Sequence, residues 1–530
     1  LTNNLVSTFK RKPTLLVTIY ITGMTLIGAA LRLIEIGKQP LWLDEAFSVW
    51  MGQHSLSEIT RLTIEIDQHP PLYHFLMHGW MALGGKSEAW VRASSALFGI
   101  LTILVIYFFG KTVGGRSVGL LSATILAFSP FHVQYSQEVR SYALLAFAAS
   151  VAMWMTAVLL VDPRTYRQRI GAAAWQAIRH PGAARWKDLQ VDAAWLVYMV
   201  VTALVVYSHN TAVFLPLAIN LFVVGLIIFQ RFFSLRGPHF HAPSFSNWVI
   251  AQFGALLFWL PWLPSFVIQM RGVADDFWIQ PPTTATVVGA IKVFLMAFVP
   301  NRIQWQWMIW TFFLVLLAFS VFYYRPKFTR FIFLAVLLIT PIAGELLVSL
   351  RRPIFYDKTL IWSTIPLYVL IASGIRQLRF RPYILAVTLI YATLCLVSLQ
   401  NYYLYYEKER WDMAAQYVSD RVKSGDILIF NAGWTEIPFD YYFTQPSPPI
   451  AEYGAPETMF ERGELEPKMT VDDLPRLKKI LQGKRRVWLI YSHNWWTDPN
   501  SLVARTLSQK FKLAGMKKYT GMQIYLYVAR

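Results

Sequence analysis

The sequence predicts a polytopic α-helical membrane protein of about eleven spans, with a C-terminal soluble α/β domain on the outer face. Three observations predict it. First, 55% of the 530 residues are hydrophobic and only 15% charged, where a soluble domain carries about 25% charged residues. Second, the apolar residues gather into runs of about 20, long enough to cross a bilayer as helices. Third, those runs stop near residue 400, and the remaining chain is polar enough and long enough for a small core of its own.

The spans fall near 14–36, 89–110, 117–135, 139–161, 192–208, 211–230, 247–270, 305–324, 331–350, 359–375 and 383–400. The first follows a basic flank, "FKRKPTLLVTIYITGMTLIGAALRL", with no clear small-residue cleavage site, and reads as a retained span. If the N-terminus is cytoplasmic, the inner segments hold Lys10, Arg11 and Lys12, then Lys111 and Arg116, then Arg164, Arg167, Arg169, Arg179, Arg185 and Lys187. Arg231 and Arg236 follow, then Arg325, Lys327 and Arg330, and finally Arg376, Arg379 and Arg381. Every inner loop is therefore basic, as the positive-inside rule requires. The stretch 283–300 is apolar but short and carries Lys292; it reads as a helix on the outer interface, the alternative being a twelfth span that reverses the C-terminus.

This gives a membrane module over 1–400, whose first outer loop is 37–88, and an extracytoplasmic domain over 401–530. In the latter, "ERWDMAAQYVSDRVKSG" has the pattern of an amphipathic helix, while "DILIFNA", "RRVWLIYSHN" and "GMQIYLYVAR" read as buried strands.

The net charge of +19 lies in short loops between apolar runs, which points to topology and anionic lipid and away from nucleic acid. Cys395 is the only cysteine, so an internal disulfide and a cysteine metal cluster are both excluded. No G-x-G-x-x-G opens a helix, and there is no Walker A motif.

Ionisable groups near a bilayer are costly and mark function or interior pairs. Here they collect at the outer ends of spans. The first loop carries Asp44, Glu45, Asp67, Gln68 and His69. Between spans three and four lie His132, Gln137, Glu138, Arg140 and Tyr142. Between spans five and six lie His209 and Asn210. Before span ten lie Arg351, Arg352, Tyr356, Asp357 and Lys358. Cations and carboxylates at one depth suit a lipid phosphate, held bidentately by Arg and singly by Lys or His. A sugar on a lipid phosphate already has a leaving group, so its transfer needs an acceptor hydroxyl, a base and cations. Asp44 fits the base, with Glu45 orienting it or helping to bind the acceptor. The competing reading makes Asp44 the cap of a short helix, "DEAFSVWMG".

"LWLDEAFSVW", "DQHPPLYHFLMHGWMALGGKSEAWVRASSALFG" and "YSQEVRSYALLAF", in this order, resemble the family 39-like glycosyltransferases of the GT-C fold. That group includes the dolichyl-phosphate-mannose protein mannosyltransferases and the bacterial aminoarabinose transferases of lipid A. The resemblance is strongest over about residues 14–220, and "RRPIFYDKTLIWSTIPL" is similar to the family's R-Y-L-x-x-x-x-P pattern. It implies a GT-C type membrane transferase that takes a sugar from a polyprenyl-phosphate donor on the outer face, with inversion. It also implies an essential acidic residue in the first outer loop, which Asp44 matches. The aminoarabinose transferases have an E-K-P stretch at the donor phosphate; here Gln68, His69 and Pro70 stand there, which leaves His69 as the candidate. Arg140 matches a motif of the group, for phosphate or for an ion pair with Glu138.

The donor site is accordingly expected from His69, Gln137, Glu138, Arg140, Tyr142, His209, Arg351, Arg352, Tyr356 and Lys358. His209 reads equally well as a hydrogen-bonded interior histidine, and at least one of Arg351, Arg352 and Lys358 as an ordinary interfacial snorkel. No cofactor is required, though Asp44, Glu45, His69 and His209 leave room for a divalent metal ion. The protein mannosyltransferases of the family carry trefoil-type repeats in a central outer loop; none is seen in this sequence, and that comparison points to a bacterial enzyme of the cytoplasmic (inner) membrane. Its partners would be the lipid-linked donor, a protein, lipid or glycan acceptor, and membrane lipids, with no nucleic acid. Two other readings are a lipid-linked sugar flippase, which would need polar groups at midplane in paired repeats, and a non-catalytic envelope-assembly scaffold.

Overall fold

The computed structural model describes residues 2–67, 69–162, 164–180, 186–233, 239–272, 279–299, 303–457, 462 and 467–530. Gln68, named above, lies outside them. The chain divides into two compact units. One holds Leu1–Ile34, Ala93–Val267 and Ile279–Tyr405; the other holds Glu35–Arg92, Ile268–Trp278 and Tyr406–Arg530. The expected division at residue 400 kept 37–88 with the membrane helices, whereas the contacts group that segment with the C-terminal sheet.

Nine stretches among the described residues, all wholly or mostly in the first unit, are long and apolar enough to cross a membrane, or ten counting a bent pair. One of them, Gln304–Ser349, holds two helices, Ile303–Tyr324 and Phe328–Ser349, joined by a single 3-10 turn at Arg325–Lys327. Leu316 meets Gly374 near the end of the span Asp357–Gln377, while Glu345 bonds Thr359 near its start. The chain therefore turns back at Arg325–Lys327, and the stretch covers two of the predicted spans. A Cβ on Gly374 would stand 1.9 Å from the Leu316 carbonyl oxygen; only glycine permits this approach. The span Asp357–Gln377 is buried among its neighbours from Lys358 to Ile375, whereas Leu15–Leu33 and Arg381–Tyr405 turn most of their surface outward. Thr284–Leu295 has 12 residues, about 18 Å of helix, too short for the twelfth span considered above.

The predicted span 117–135 is a bent pair, Arg116–Phe128 and Pro130–Ser136, meeting at 59°. Ser129 caps the second helix and Pro130 opens it, a favoured start that cannot continue the first helix. Carbonyls freed at the bend need donors, and buried Arg32 supplies them. Its Nη1 donates to Gly28 and Ala127 at 2.9 and 3.2 Å, and its Nη2 to Leu126 at 3.2 Å. Ser129 and His132 then tie the bend to the buried span, through Tyr368 at 2.8 Å and Thr364 at 2.7 Å.

The second unit is built on a five-stranded sheet of order β2-β1-β3-β5-β4, with β1 Ile427–Asn431, β2 Ala451–Gly454, β3 Arg486–Ser492, β4 Phe511–Tyr519 and β5 Met522–Ala529. β1 runs parallel to β2 and β3, with Ile429 opposite Leu489; β5 runs antiparallel to both β3 and β4. Both faces are covered. Trp411, Leu428, Phe439 and Trp488 pack on one side, and Ile429, Leu477, Leu489 and Leu507 on the other. This explains the continuous apolar runs of β1 and β3. A third cluster joins the sheet to the first loop: Ala432 and Trp434, just past β1, pack on Met51, Ile59, Leu62 and Ile66.

Candidate functional site

The stretch that opens the first loop folds as the helix Leu43–Gly52, and its two carboxylates have different fates. The N-cap position is Trp42, with extended backbone, and its amide donates to Glu45 at 3.4 Å. The helix therefore starts before Asp44, and the reading of Asp44 as its cap is replaced. Asp44 sits half-buried in the first turn, and its backbone carbonyl accepts from Ser48 Oγ at 3.0 Å.

Glu45 is completely buried. Its Oε1 accepts from Arg92 Nε at 2.8 Å, and its Oε2 from Arg92 Nη2 at 2.7 Å and Lys408 Nζ at 2.9 Å. The remaining Arg92 donors go to the carbonyls of Ile36, Gln39 and Pro40 at 2.7–2.9 Å, so all five of its N–H groups are used. Burial acts to raise the Glu45 pKa, but Arg92 and Lys408 outweigh it and bring it down to about 2. Held this way, Glu45 orients the helix that bears Asp44.

His69, at the position of the family's E-K-P stretch, faces Asp67. Its backbone amide donates to Asp67 Oδ1 at 3.1 Å, and its Nδ1 lies 2.9 Å from the same oxygen. His74 Nε2 approaches Asp67 Oδ2 at 2.6 Å, while its Nδ1 is buried without a hydrogen-bond partner. Burial alone would raise the Asp67 pKa, yet the two histidines hold it well below the usual carboxylate range. Gln269 Nε2 fixes the turn by donating to the carbonyls of Thr63, Asp67 and His69. Among the described residues, no group of three or more His, Cys, Asp or Glu side chains is arranged to hold a metal.

The other candidates lie in the membrane unit. Four of them converge: Tyr142, His209, Tyr356 and Lys358. Lys358 Nζ lies over the rings of Tyr142 and Tyr356, 5.4 and 4.7 Å from their centroids, and the Tyr142 and His209 rings are 6.1 Å apart. A buried ammonium between aromatic faces is a cation–π arrangement. His209 Nδ1 also accepts from the Thr211 amide and faces its hydroxyl, at 3.2 and 3.0 Å, which caps the turn Asn210–Val213. Gln137 serves the fold: its side-chain amide donates to the carbonyls of Arg32 and Ile34 at 3.1 and 2.7 Å, closing the first helix. Glu138 and Arg140 are buried beside it, and Glu138 accepts from Gln134 at 3.3 Å. Arg352 is half-buried; Arg351 is exposed, as a snorkelling side chain would be.

Sequence reasoning missed several groups. Arg92 and Glu345 are lone charges in apolar runs, a signal that was present. Glu345 is buried and accepts from the Thr359 hydroxyl at 2.9 Å and the Tyr356 amide at 3.4 Å, fixing the turn that bears Lys358. His74 and Lys408 were missed: His74 is one of several histidines in "DQHPPLYHFLMHGW", and Lys408 sits between Glu407 and Glu409, as a solvated charge run would place it.

The fold is of the GT-C type, with a C-terminal sheet. Residues 68–179 match the model of the dolichyl-phosphate-mannose-protein mannosyltransferase family. Among solved structures, the chain is similar to ArnT from Cupriavidus metallidurans in the apo state, with 11% identity, a TM-score of 0.60, and 96% of this chain and 98% of that one covered. It is similar also to the same protein bound to undecaprenyl phosphate, with 10% identity, a TM-score of 0.59 and the same coverage. The oligosaccharyltransferase AglB from Archaeoglobus fulgidus, in complex with an inhibitory peptide and a dolichol-phosphate, matches with 12% identity and a TM-score of 0.53, over 96% of this chain and 74% of that one. Among curated proteins, no sequence matches.

Proposed function

We propose that this chain is a glycosyltransferase of a bacterial cytoplasmic membrane, moving a sugar from a polyprenyl-phosphate donor to an acceptor on the outer face. The N-terminus is then cytoplasmic and the C-terminal domain extracytoplasmic. Asp44 removes the proton of the acceptor hydroxyl, and the oxygen attacks the anomeric carbon with inversion. The bond from that carbon to the phosphate oxygen breaks, and polyprenyl phosphate leaves with the electron pair. Lys358, Arg140, Arg352 and His69 are assigned to the phosphate, with Tyr142, Tyr356 and His209 shaping the site.

The observation that carries this reading is the division of labour within "LDEA". Glu45 is consumed by Arg92 and Lys408, and Asp44 is the member of the pair with solvent exposure. The mannosyltransferase match, and the likeness to structures holding undecaprenyl or dolichol phosphate, support the donor class.

The test is transfer from radiolabelled polyprenyl-phosphate sugars to membrane extract, with wild type beside Asp44→Asn. Labelling by wild type alone supports the reading, provided the variant still binds donor. Equal labelling removes Asp44 from the chemistry, and no labelling across a broad donor panel sinks the transferase.

A further inference from the structure

The two residues flanking Asp44 are held by two consecutive residues of the segment leading into the sheet. Lys408 bonds the Glu45 carboxylate at 2.9 Å, and Glu409 Oε2 accepts the Leu43 amide at 3.1 Å. That amide is the first of the helix Leu43–Gly52, one of the orphan donors a helix start leaves to be satisfied from outside. A carboxylate there also suits the helix dipole.

Each clamp residue is itself fixed. The Lys408 amide donates to Gln39 Oε1 at 2.7 Å, and Gln39 Nε2 donates to the Tyr406 carbonyl at 2.8 Å. Glu409 Oε2 also accepts from Trp411 Nε1 at 2.8 Å. Its Oε1 lies 3.5 Å from His493 Nε2, and His493 Nδ1 lies 2.9 Å from Ser492 Oγ at the end of β3. Gly521, at φ +87°, leaves the space Glu409 occupies; a Cβ there would come within 2.6 Å of its side chain.

We propose that Lys408 and Glu409 are positioning residues for Asp44, so that the C-terminal domain sets the alignment of the base. The proposal rests on reading Asp44 as that base. A displacement of about 1 Å in a reacting group can cost about 100-fold in rate, and the clamp lies one residue away on each side.

The experiment uses full-length protein in lipid nanodiscs, with wild type and Asp44→Asn as references. Glu409→Ala is expected to lower kcat at least about tenfold, with KM for donor and acceptor within about twofold. Glu409→Gln keeps an oxygen for the Leu43 amide and is expected to recover most of the loss; Lys408→Arg is expected to do the same relative to Lys408→Met. An unchanged kcat in Glu409→Ala, or a raised KM with kcat kept, overturns the proposal.

Amide hydrogen exchange over Leu43–Gly52 judges the clamp apart from activity. Faster exchange in Glu409→Ala is expected, and unaltered protection overturns the proposal. If Asp44→Asn transfers as well as wild type, the base assignment falls instead, and exchange alone decides whether the clamp holds the helix.

Discussion

The Arg92 guanidinium grips both oxygens of the Glu45 carboxylate, Nε on Oε1 at 2.8 Å and Nη2 on Oε2 at 2.7 Å. Both side chains are buried, and the same guanidinium closes on the carbonyls of Ile36, Gln39 and Pro40. Breaking a buried ion pair costs about 3–5 kcal/mol; without Arg92, Glu45 keeps Lys408, and the carbonyls of Ile36, Gln39 and Pro40 lose this donor. Arg92→Met should therefore destabilise the protein by about that much. Denaturant unfolding of the variant beside wild type checks this; an unchanged midpoint would refute the structural role of the pair.

The same pair sets an acid limit. The Glu45 pKa is about 2 when folded, against an ordinary 4.5. A depressed carboxylate contributes stability above its unfolded pKa and loses it as pH falls through the folded one. Stability should therefore drop between about pH 4.5 and about pH 2. Thermal midpoints measured across that window should fall in wild type, and the part due to this group should be missing in Glu45→Gln.

Lys358 offers a separate check on the donor assignment. A hydrogen bond to a charged partner contributes about 1.5–3 kcal/mol, so Lys358→Met should raise the donor KM by about 10- to 100-fold. Lys358→Arg keeps the charge and should lose less. Unchanged donor binding in Lys358→Met would place the phosphate elsewhere.

A pH effect of opposite sign belongs to the sheet domain. Burial, reinforced by Asp440 and Glu436, pushes Glu452 up to about 8; burial pushes Asp440 up to about 6. The folded state binds the Glu452 proton more tightly than the unfolded chain, so its contribution is lost as pH rises from about 4.5 to about 8. Glu452→Gln should raise the unfolding midpoint above about pH 8 and leave it unaltered near pH 4. A variant that gains nothing at high pH would show that the carboxyl ionises freely.

Much of the fold was legible because the bilayer imposes one length scale on apolar runs. The bent pair at Ser129 was less legible: hydropathy continues across "FSPF", and the break comes from a cap and a proline that the apolar count does not register. The strands β1, β3 and β5 were readable as buried apolar runs. β2 and β4 were not, since β2 has only four residues and β4 carries Lys512, Lys517 and Lys518 on an exposed edge, a charge pattern that protects edges. Within the site, "LWLDEA" singled out two carboxylates but could not say what holds Glu45. Arg92 and Lys408, which do, lie 47 and 363 positions from it, and no local pattern connects them.

The enclosure of Lys358–Ile375 bears on how the protein is made. The span Asp357–Gln377 is the least apolar of the membrane stretches, and every helix it packs against except Arg381–Tyr405 precedes it in the chain. Enclosed by those helices, it should depend for its insertion on packing against them more than on contact with lipid. A side chain added at Gly374, or a broken bend at Pro130, should therefore surface during biogenesis as stalled insertion and proteolysis.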